Sequence, residues 1–363
     1  MEHVTELAGI LQPHLGWNKA RITFLARFLL ALLQLGTVRL TRLAVALNGA
    51  AQQESNYRRI QRFFSGFEID PDAIARLVLF LAPRERVLLI LDRTQWQLGQ
   101  QDLNILVLAV AYRGMAFPVV WTVLPSRGGS TTEQRMMLLC AVLRILPAER
   151  IEALLADREF IGKQWLAFLQ QRKIPFIIRI KGNLRITSRR GCIRPAASFF
   201  TWLPLEQSQI LPGRRNLCGQ RLYVAGKRIL GRNKKPELLL VITSGDPQRA
   251  LETYARRWEI ETLFGALKSR GFDLEATHLC HPERLEKLLA CLALAAIWAH
   301  HVGEWVHHVV QPIKVKKHKR RAKSFFRLGL DHLGAILFHR QERAAALEIC
   351  FDLLRHPRFL SCT

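Results

Sequence analysis

The order of apolar and polar positions divides the chain into a helical part and a strand-rich part. Residues 1 to about 82 show helical apolar periodicity, in 20–35, 40–48 and 57–64. From Arg86 onwards the pattern changes to short runs rich in β-branched residues, bounded by Gly, Pro or polar breaks. These runs predict strands over 87–94, 104–114 and 116–125.

Helix and strand patterns then alternate. A helix is predicted over 134–146 with Ser130 or Thr131 as its N-cap, and another over 163–172. Strands are predicted over 153–157 and 174–182. Three hairpin-like strands followed by alternating helices and strands indicate an α/β fold with a mixed sheet. This is also the element order of a ribonuclease-H-like core.

The alternation stops between Asn183 and Lys235, where twelve Lys or Arg residues face one acidic residue, Glu206. We predict a basic β-rich insertion here, with strands over 221–225 and 238–243, the last of them a candidate to rejoin the main sheet. A long apolar helix is predicted over 284–309. After it, eight of the fourteen residues 314–327 are Lys or Arg and none is acidic, a run expected to become ordered on a polyanion.

The charge of the whole chain narrows its class. A formal net charge of +25 over 363 residues indicates a polyanionic partner, nucleic acid first and anionic membrane second. No apolar stretch reaches the ~20 residues of a membrane span, and no secretory signal opens the chain, so we expect a soluble protein. The seven cysteines include no C-x-x-C pair, which favours free thiols in a reducing cytosol.

One N-terminal helix combines basic and apolar faces. Arg58, Arg59 and Arg62 alternate with aromatic residues in the segment SNYRRIQRFFSGF. Such a face suits a DNA backbone or groove. The alternative is a surface helix whose arginines are merely solvated, and the sequence does not separate the two.

Two aspartates follow apolar strands. Asp92 ends the run VLLIL, and Asp157 ends ALLAD. An aspartate in this position lies at the rim of the sheet, although a turn-capping role is the common alternative. Asp102 and Glu159 compete for the same functional roles.

A third carboxylate lies in the stretch YARRWEIETLFGALK. Tyr254, Arg257, Glu261 and Lys268 stand at offsets 0, 3, 7 and 14. At about 100° per residue they share one narrow face of a helix. We expect the other side, with Trp258, Ile260, Phe264 and Leu267, to be the packing side.

Three carboxylates favour Mg²⁺ or Mn²⁺, because hard cations prefer oxygen ligands. Asp92, Asp157 and Glu261 would then hold two ions and serve displacement at a phosphodiester. Arg257 and Lys268 would hold DNA phosphates, Arg257 through its bidentate fork. Tyr254 would pack on a sugar or a displaced base, or hydrogen-bond a phosphate.

The spacing Y-(2)-R-(3)-E-(6)-K resembles the signature of bacterial insertion-sequence transposases of the DDE type, in the family numbered four. The resemblance covers about 88–272 and implies a ribonuclease-H-like core with Asp92, Asp157 and Glu261 as catalytic triad. Asp157 and Glu261 are 104 positions apart, as in family members that carry an inserted β-domain. Such enzymes cut transposon ends, in the best-understood cases through a DNA hairpin, and join them to a target.

The resemblance also implies partners and organisation. Double-stranded DNA would be the substrate, a homodimer would form the synaptic complex, and the protein would act in the cytoplasm at the bacterial nucleoid, away from membranes. Trp202, in the insertion, is the candidate support for a flipped base. The predicted units are 1–82 (helical, DNA-binding), 83–182 (first core part), 183–245 (basic insertion), 246–283 (second core part) and 284–363 (basic, helical).

Two other functions remain open at this point. A ribonuclease-H-like nuclease would cut DNA without strand transfer. A domesticated DNA-binding protein would keep the basic surface without catalysis, although the intact carboxylates argue against it.

Overall fold

The computed structural model describes residues 2–47, 52–98, 101–124, 128–231, 233–317, 321–339 and 342–357. Five helices form the N-terminal part. Apolar residues at helical spacing give each of them a buried stripe; in the last, Asp70 caps the N-terminus and Pro71 opens the first turn. The helices are α1 (Glu2–Leu15), α2 (Lys19–Leu35), α3 (Leu40–Ala46), α4 (Gln53–Gly66) and α5 (Pro71–Leu81).

The centre of the chain folds as alternating strands and helices, as predicted. Thr131 and Gln134 form a reciprocal capping box at the start of the first central helix, which explains why that helix begins there. In chain order the elements are β1 (Val87–Leu98), β2 (Gln101–Tyr112), β3 (Met115–Leu124), α6 (Thr132–Leu143), β4 (Ile151–Ala156), α7 (Lys163–Gln171) and β5 (Phe176–Ile180).

The basic stretch that follows is β-rich, and part of it extends the main sheet. Its strands are β6 (Arg185–Thr187), β7 (Ile193–Pro195), β8 (Ser208–Ile210), β9 (Arg215–Leu217), β10 (Gln220–Leu230) and β11 (Pro236–Thr243). The main sheet has the order β3-β2-β1-β4-β5-β11-β10-β8, with β9 beside β10, whereas β6 and β7 pair separately. The antiparallel β11 borders β5 directly.

The strand directions agree with a ribonuclease-H-like core. β1 is antiparallel to β2, and β2 is antiparallel to β3. β1 and β4 are parallel, as are β4 and β5. The mixed α/β architecture predicted from the sequence is therefore confirmed.

The stretch 250–268 is not one regular helix. It comprises α8 (Ala250–Ala255), a 3₁₀ turn (Arg256–Trp258) and α9 (Glu259–Leu267). α9 lies against β3, β2 and β1. The helix-wheel argument therefore holds for Tyr254, Arg257 and Glu261 only approximately. It fails for Lys268, which is the C-cap residue of α9 and has left the helical conformation.

Three helices close the fold: α10 (Pro282–Trp305), α11 (Phe325–Phe338) and α12 (Ala344–Arg355). α10 continues through a π turn to Val310, and this span is long and apolar enough to cross a membrane. However, 89% of its apolar window is buried inside the protein. It packs on α11, α2 and β3, which explains its composition as that of a central core helix.

α10 and α11 cross at two glycines. A Cβ atom at Gly303 would lie 1.7 Å from the carbonyl oxygen of Phe325, and one at Gly329 would lie 1.7 Å from that of Ala299. Such distances are far below van der Waals contact. Only glycine therefore permits this approach of the two backbones.

We predict that Gly303→Ala destabilises the protein by about 1–3 kcal/mol or more, because the helices must separate to admit the methyl group. Thermal or urea unfolding would measure the change. Gly9→Ala in α1 is the matched control: nothing lies within 4 Å of its Cβ position, so about 0.5–1 kcal/mol of stabilisation is expected. Unaltered unfolding of Gly303→Ala would contradict the described crossing.

Candidate active site

The two aspartates meet at the point where β4 ends. The last register pair between β1 and β4 is Leu91 with Ala156, and Asp92 and Asp157 are the next residues on the two strands. Neighbouring strands lie about 4.8 Å apart, so the two carboxylates come from adjacent backbone positions. β1 itself continues to Leu98 along β2. The sequence predicted that Asp92 lies at the rim because its own strand ends there, and this reason is wrong. Asp92 lies at the rim because the neighbouring strand β4 ends beside it.

Arg257 links Asp92 to the third predicted carboxylate. Its Nη1 donates to Asp92 Oδ2 at 2.8 Å, and its Nη2 donates to Glu261 Oε1 at 2.9 Å. The side chains of Arg257 and Asp92 are each only 15% exposed. The second oxygen of Asp92 accepts the backbone N–H of Arg93 at 2.8 Å. One guanidinium therefore joins a strand carboxylate to a helix carboxylate.

Asp157 is surrounded by two other groups. The Tyr254 hydroxyl donates to Asp157 Oδ1 at 3.5 Å, and Arg179 Nη1 on β5 lies 3.9 Å from the same oxygen. Burial raises the pKa of the Tyr254 phenol well above its ordinary value, so the phenol stays protonated and donates. Arg179 was not among the predicted residues, and only its position on a strand next to β4 connects it to the site.

Burial disfavours the charged forms of Asp92 and Arg257 at this centre. Burial raises the pKa of Asp92 to about 6, against the opposing effects of Arg257 and the Arg93 N–H, and the nearby Glu159 and Asp157 raise it further. For Arg257, burial disfavours the charged form. The acidic groups of Tyr254, Asp92 and Asp157 outweigh burial, so its pKa lies above the ordinary value. The site therefore favours additional positive charge.

The competing carboxylates have other positions. Glu159 accepts from Arg93 Nε with both oxygens at 3.0 Å, which engages it in its own ion pair. Asp102 stands opposite Gln97 in the register, whereas Asp92 stands opposite Val107. Five positions along a strand correspond to about 17 Å, so Asp102 is remote from the centre.

Lys268 reaches the same edge of the sheet from beyond α9. Its Nζ donates to the backbone carbonyl of Gln95 at 2.8 Å and lies 5.5 Å from the centre of the Trp96 ring. Burial lowers its pKa. A cation thus stands three residues along β1 from Asp92, held by the backbone of that strand.

The prediction that Trp258 lies on the packing side of its helix is wrong. Ile260 and Leu267 are buried as expected, but Trp258 is 55% exposed and does not belong to the packing side. The 3₁₀ turn changes the rotation per residue at this point. Sequence periodicity assumes a regular helix and therefore placed the indole on the wrong side.

The remaining predicted DNA-contacting residues lie elsewhere on the surface. Trp202 is 64% exposed, in a turn that precedes β8. Arg58, Arg59 and Arg62 are exposed on α4, whose other side buries Ile60, Phe63 and Phe64. The structure brings neither group into contact with the three carboxylates, and nothing in it tests their binding of DNA.

The donor set suits a divalent metal, although the described part of the chain has no three His, Cys, Asp or Glu side chains grouped closely enough to hold one. Arg257 stands between Asp92 and Glu261 instead. Carboxylate oxygens are the ligands of Mg²⁺ and Mn²⁺. The donor chemistry of the three carboxylates therefore fits a divalent cation, and burial, which raises the pKa of Asp92, disfavours the ionised form of that side chain without one.

Comparison with known proteins gives one family. The model of the transposase DDE domain matches residues 83–298, which is more than half of the chain and includes all three carboxylates. No curated protein matches the sequence.

We predict that the effect of Asp92→Asn on the free energy of unfolding depends on pH. The folded-state pKa of about 6 lies above the ordinary 3.8, so the ionised carboxylate destabilises the folded protein. This cost appears as pH rises above about 4 and is complete above about 6. At about 1.36 kcal/mol per pKa unit, the unfolding free energy of the variant relative to wild type should rise by about 3 kcal/mol over that range.

Urea unfolding in EDTA at several pH values would measure this difference. Asp72→Asn is the control, because a hydrogen bond from Arg144 lowers the pKa of Asp72 and removal of that carboxylate should give no such gain. A pH-independent difference between Asp92→Asn and wild type would contradict the described environment.

Proposed function

Because the chain belongs to the transposase DDE domain family, we propose that it is a metal-dependent transposase acting on the DNA of its own insertion sequence. It binds the terminal inverted repeats as double-stranded DNA, cleaves there and transfers the ends to a target by cut-and-paste. The observation that carries the proposal is that Arg257 hydrogen-bonds both Asp92 and Glu261, while Tyr254, three residues earlier, hydrogen-bonds Asp157. The finer placement in insertion-sequence family four stays a prediction from the Y-(2)-R-(3)-E-(6)-K spacing.

Asp92, Asp157 and Glu261 would hold Mg²⁺ or Mn²⁺. Bound divalent ions supply activation of the attacking oxygen and stabilisation of the departing oxygen. Carboxylates suit this role because they neutralise the cations without themselves attacking phosphorus. Asp92 needs such a partner most, since it is the most buried of the three side chains.

Arg257 has two roles in this proposal. In the DNA-free protein its guanidinium neutralises Asp92 and Glu261 and keeps β1 and α9 together at the site. With DNA present, the same planar fork binds a backbone phosphate bidentately. The Tyr254 phenol, held protonated by its burial, orients Asp157 by donating to it.

The surrounding basic surfaces would hold the DNA. Lys268 faces phosphates beside β1, Arg58, Arg59 and Arg62 present a basic helical face, and Trp202 in the insertion supports a displaced base. We further propose a homodimer as the synaptic unit, and action in the cytoplasm on nucleoid DNA. The proposal for Trp202 depends on its 64% exposure and on the need of a flipped base for a stacking partner.

We predict that Glu261→Gln abolishes cleavage and leaves DNA binding largely intact, because the amide keeps the shape but loses the charge needed by a metal. The substrate is a labelled duplex carrying the DNA that flanks this gene on either side, incubated with Mg²⁺ and resolved on a denaturing gel. Glu252→Gln, on the exposed side of α8, is the matched control and should cleave normally.

The outcomes separate the candidate functions. Boundary cuts that require both metal and Glu261 support the transposase, and joined products show strand transfer. Cuts without end preference would indicate a general nuclease. Cleavage by Glu261→Gln would refute the assignment of the triad.

We predict that Lys268→Ala weakens binding of the same duplex more than it affects folding. Lys287 is the matched control, because its Nζ also donates to a backbone carbonyl, that of Phe64, at 3.2 Å, away from the carboxylates. Each variant should lose a similar ~1 kcal/mol of stability. Only Lys268→Ala should lower DNA affinity, measured by fluorescence anisotropy. Equal affinities in the two variants would assign Lys268 a purely structural role.

A further inference from the structure

Residues 321–327, at the end of the basic run, border a cavity that the proposed catalytic role does not use. The cavity has a volume of about 670 Å³ and lies between α9, the turn after β2, α10 and the start of α11. Thr262 and Ala266 of α9 line it. Thr262 is the neighbour of Glu261 in the sequence, so the cavity and the carboxylate centre occupy adjoining faces of one helix.

The lining of the cavity is cationic. Five Lys or Arg side chains border it, and none of the lining residues is acidic. Two of the five, Lys323 and Arg327, share Asp331 as partner, each at 2.8 Å, and Arg113 pairs with the buried Glu304. Arg270 and Arg321 have no acidic partner among the residues that the structure describes. The cavity thus keeps positive charge that the protein itself does not neutralise.

These two arginines are held in place by other contacts. The guanidinium of Arg321 lies 4.3 Å from the ring centre of Phe325, and its backbone forms a β-bridge with Val315. The side chain of Arg270 runs along Gly265 of α9, with its Cδ 3.2 Å from the Cβ position of that glycine. Stacking on Phe325 therefore orients Arg321 before any ligand binds, which lowers the entropic cost of binding.

The N-terminus of α11 opens at the same cavity. Ser324 caps the helix by accepting the N–H of Arg327 at 3.2 Å, whereas the N–H groups of Phe325 and Phe326 have no protein acceptor in the described part of the chain. Helix N-termini favour anions. The contact of Gly303 with the Phe325 carbonyl fixes this helix end against α10.

A buried histidine completes the wall. His300 lines the cavity and is 2% exposed, and neither of its ring nitrogens has a hydrogen-bond partner among the described residues. Its ring is surrounded by Tyr112, Phe117 and Phe325. A buried imidazole without a hydrogen-bond partner is uncommon. Both ring nitrogens of His300 therefore remain without a hydrogen bond to any described residue.

We propose that this cavity is a second phosphate-binding site, separate from the carboxylate centre, that holds a phosphodiester of the DNA backbone. Two arginines without an acidic partner among the described residues, a helix N-terminus and an unpartnered imidazole all border this cavity. The exposed Lys314, Lys316 and Lys317 continue the basic surface beyond it, as a continuous polyanion requires. The choice of DNA as the polyanion rests on the proposed function; the choice of phosphate does not.

The test is the double variant Arg270→Gln/Arg321→Gln, compared with Arg76→Gln/Arg172→Gln. The control arginines are exposed, one on α5 and the other just after α7, and their removal changes the net charge equally. DNA binding is measured by fluorescence anisotropy in EDTA over a range of salt concentrations, so the result does not depend on cleavage. Circular dichroism establishes that both variants are folded.

The expected result is a salt slope reduced by about 0.9 in the cavity variant, since the one phosphate held in the cavity contributes about 0.9, and an unchanged slope in the control. Two arms identify the source of the phosphate. A reduced slope with the flanking-end duplex assigns the cavity to the end. Normal end binding with impaired capture of a second, unrelated duplex by the preformed end complex assigns it to target DNA. Equal behaviour of cavity and control variants in both arms overturns the proposal.

A lysine-acetylation footprint of the wild-type protein tests the same site without any substitution, so its result does not depend on whether the variant folds. Acetylation of Lys323, whose side chain is 52% exposed, should slow when DNA binds, whereas that of the exposed Lys173 should not. Unprotected Lys323 under saturating DNA would also overturn the proposal. The two proposals can fail separately. If the cavity variant has the reduced salt slope and DNA protects Lys323 of the wild type, but the wild type never cleaves, the proposed catalytic function fails and the phosphate site stands.

Discussion

The candidate site depends on one buried cation between carboxylates that come from different elements. Asp92 lies on a strand and Glu261 on a helix, and Arg257 hydrogen-bonds both. Removing one partner of such a buried pair typically costs about 3–5 kcal/mol, because the other charge is left uncompensated. The guanidinium therefore stabilises the junction of α9 with the sheet as well as the position of each carboxylate. It also occupies the place where a metal would neutralise the same oxygens.

The fold supplies the rest of this arrangement through strand direction. β1 and β4 are parallel and in register up to Leu91 and Ala156, so their next residues, both aspartates, emerge side by side. β5 adds Arg179 to the same edge. Around this acidic centre the surface is basic, with Lys268 on one side and the cavity of Arg270 and Arg321 on the other. In the proposed function these basic residues would attract the DNA backbone towards the carboxylates, whose own negative charge a bound cation would neutralise.

Local patterns in the sequence predicted the parts of this structure that local physics determines. The β-branched runs predicted the strands, and the two candidate N-caps, Ser130 and Thr131, placed the start of α6, where the structure has Thr131 as the cap. Residues whose position depends on tertiary contacts were not predictable in this way. Periodicity could not foresee the 3₁₀ turn that exposes Trp258, or the departure of Lys268 from the helix towards Gln95. Arg179 lies at the site because β5 is the neighbour of β4 in the sheet. The crossing of α10 and α11 at Gly303 and Gly329 depends on the relative position of two backbones, which no local pattern specifies.

The central claim is that Asp92, Asp157 and Glu261 form one metal centre, and Mn²⁺ binding measured by electron paramagnetic resonance tests it most directly. Wild-type protein should bind Mn²⁺ saturably. Asp157→Asn should weaken binding by more than the roughly 10–100-fold expected for loss of an outer partner. Glu159→Gln, which removes only the partner of Arg93, should bind nearly as wild type. Unchanged affinity in Asp157→Asn, or an equal loss in Glu159→Gln, would contradict the account.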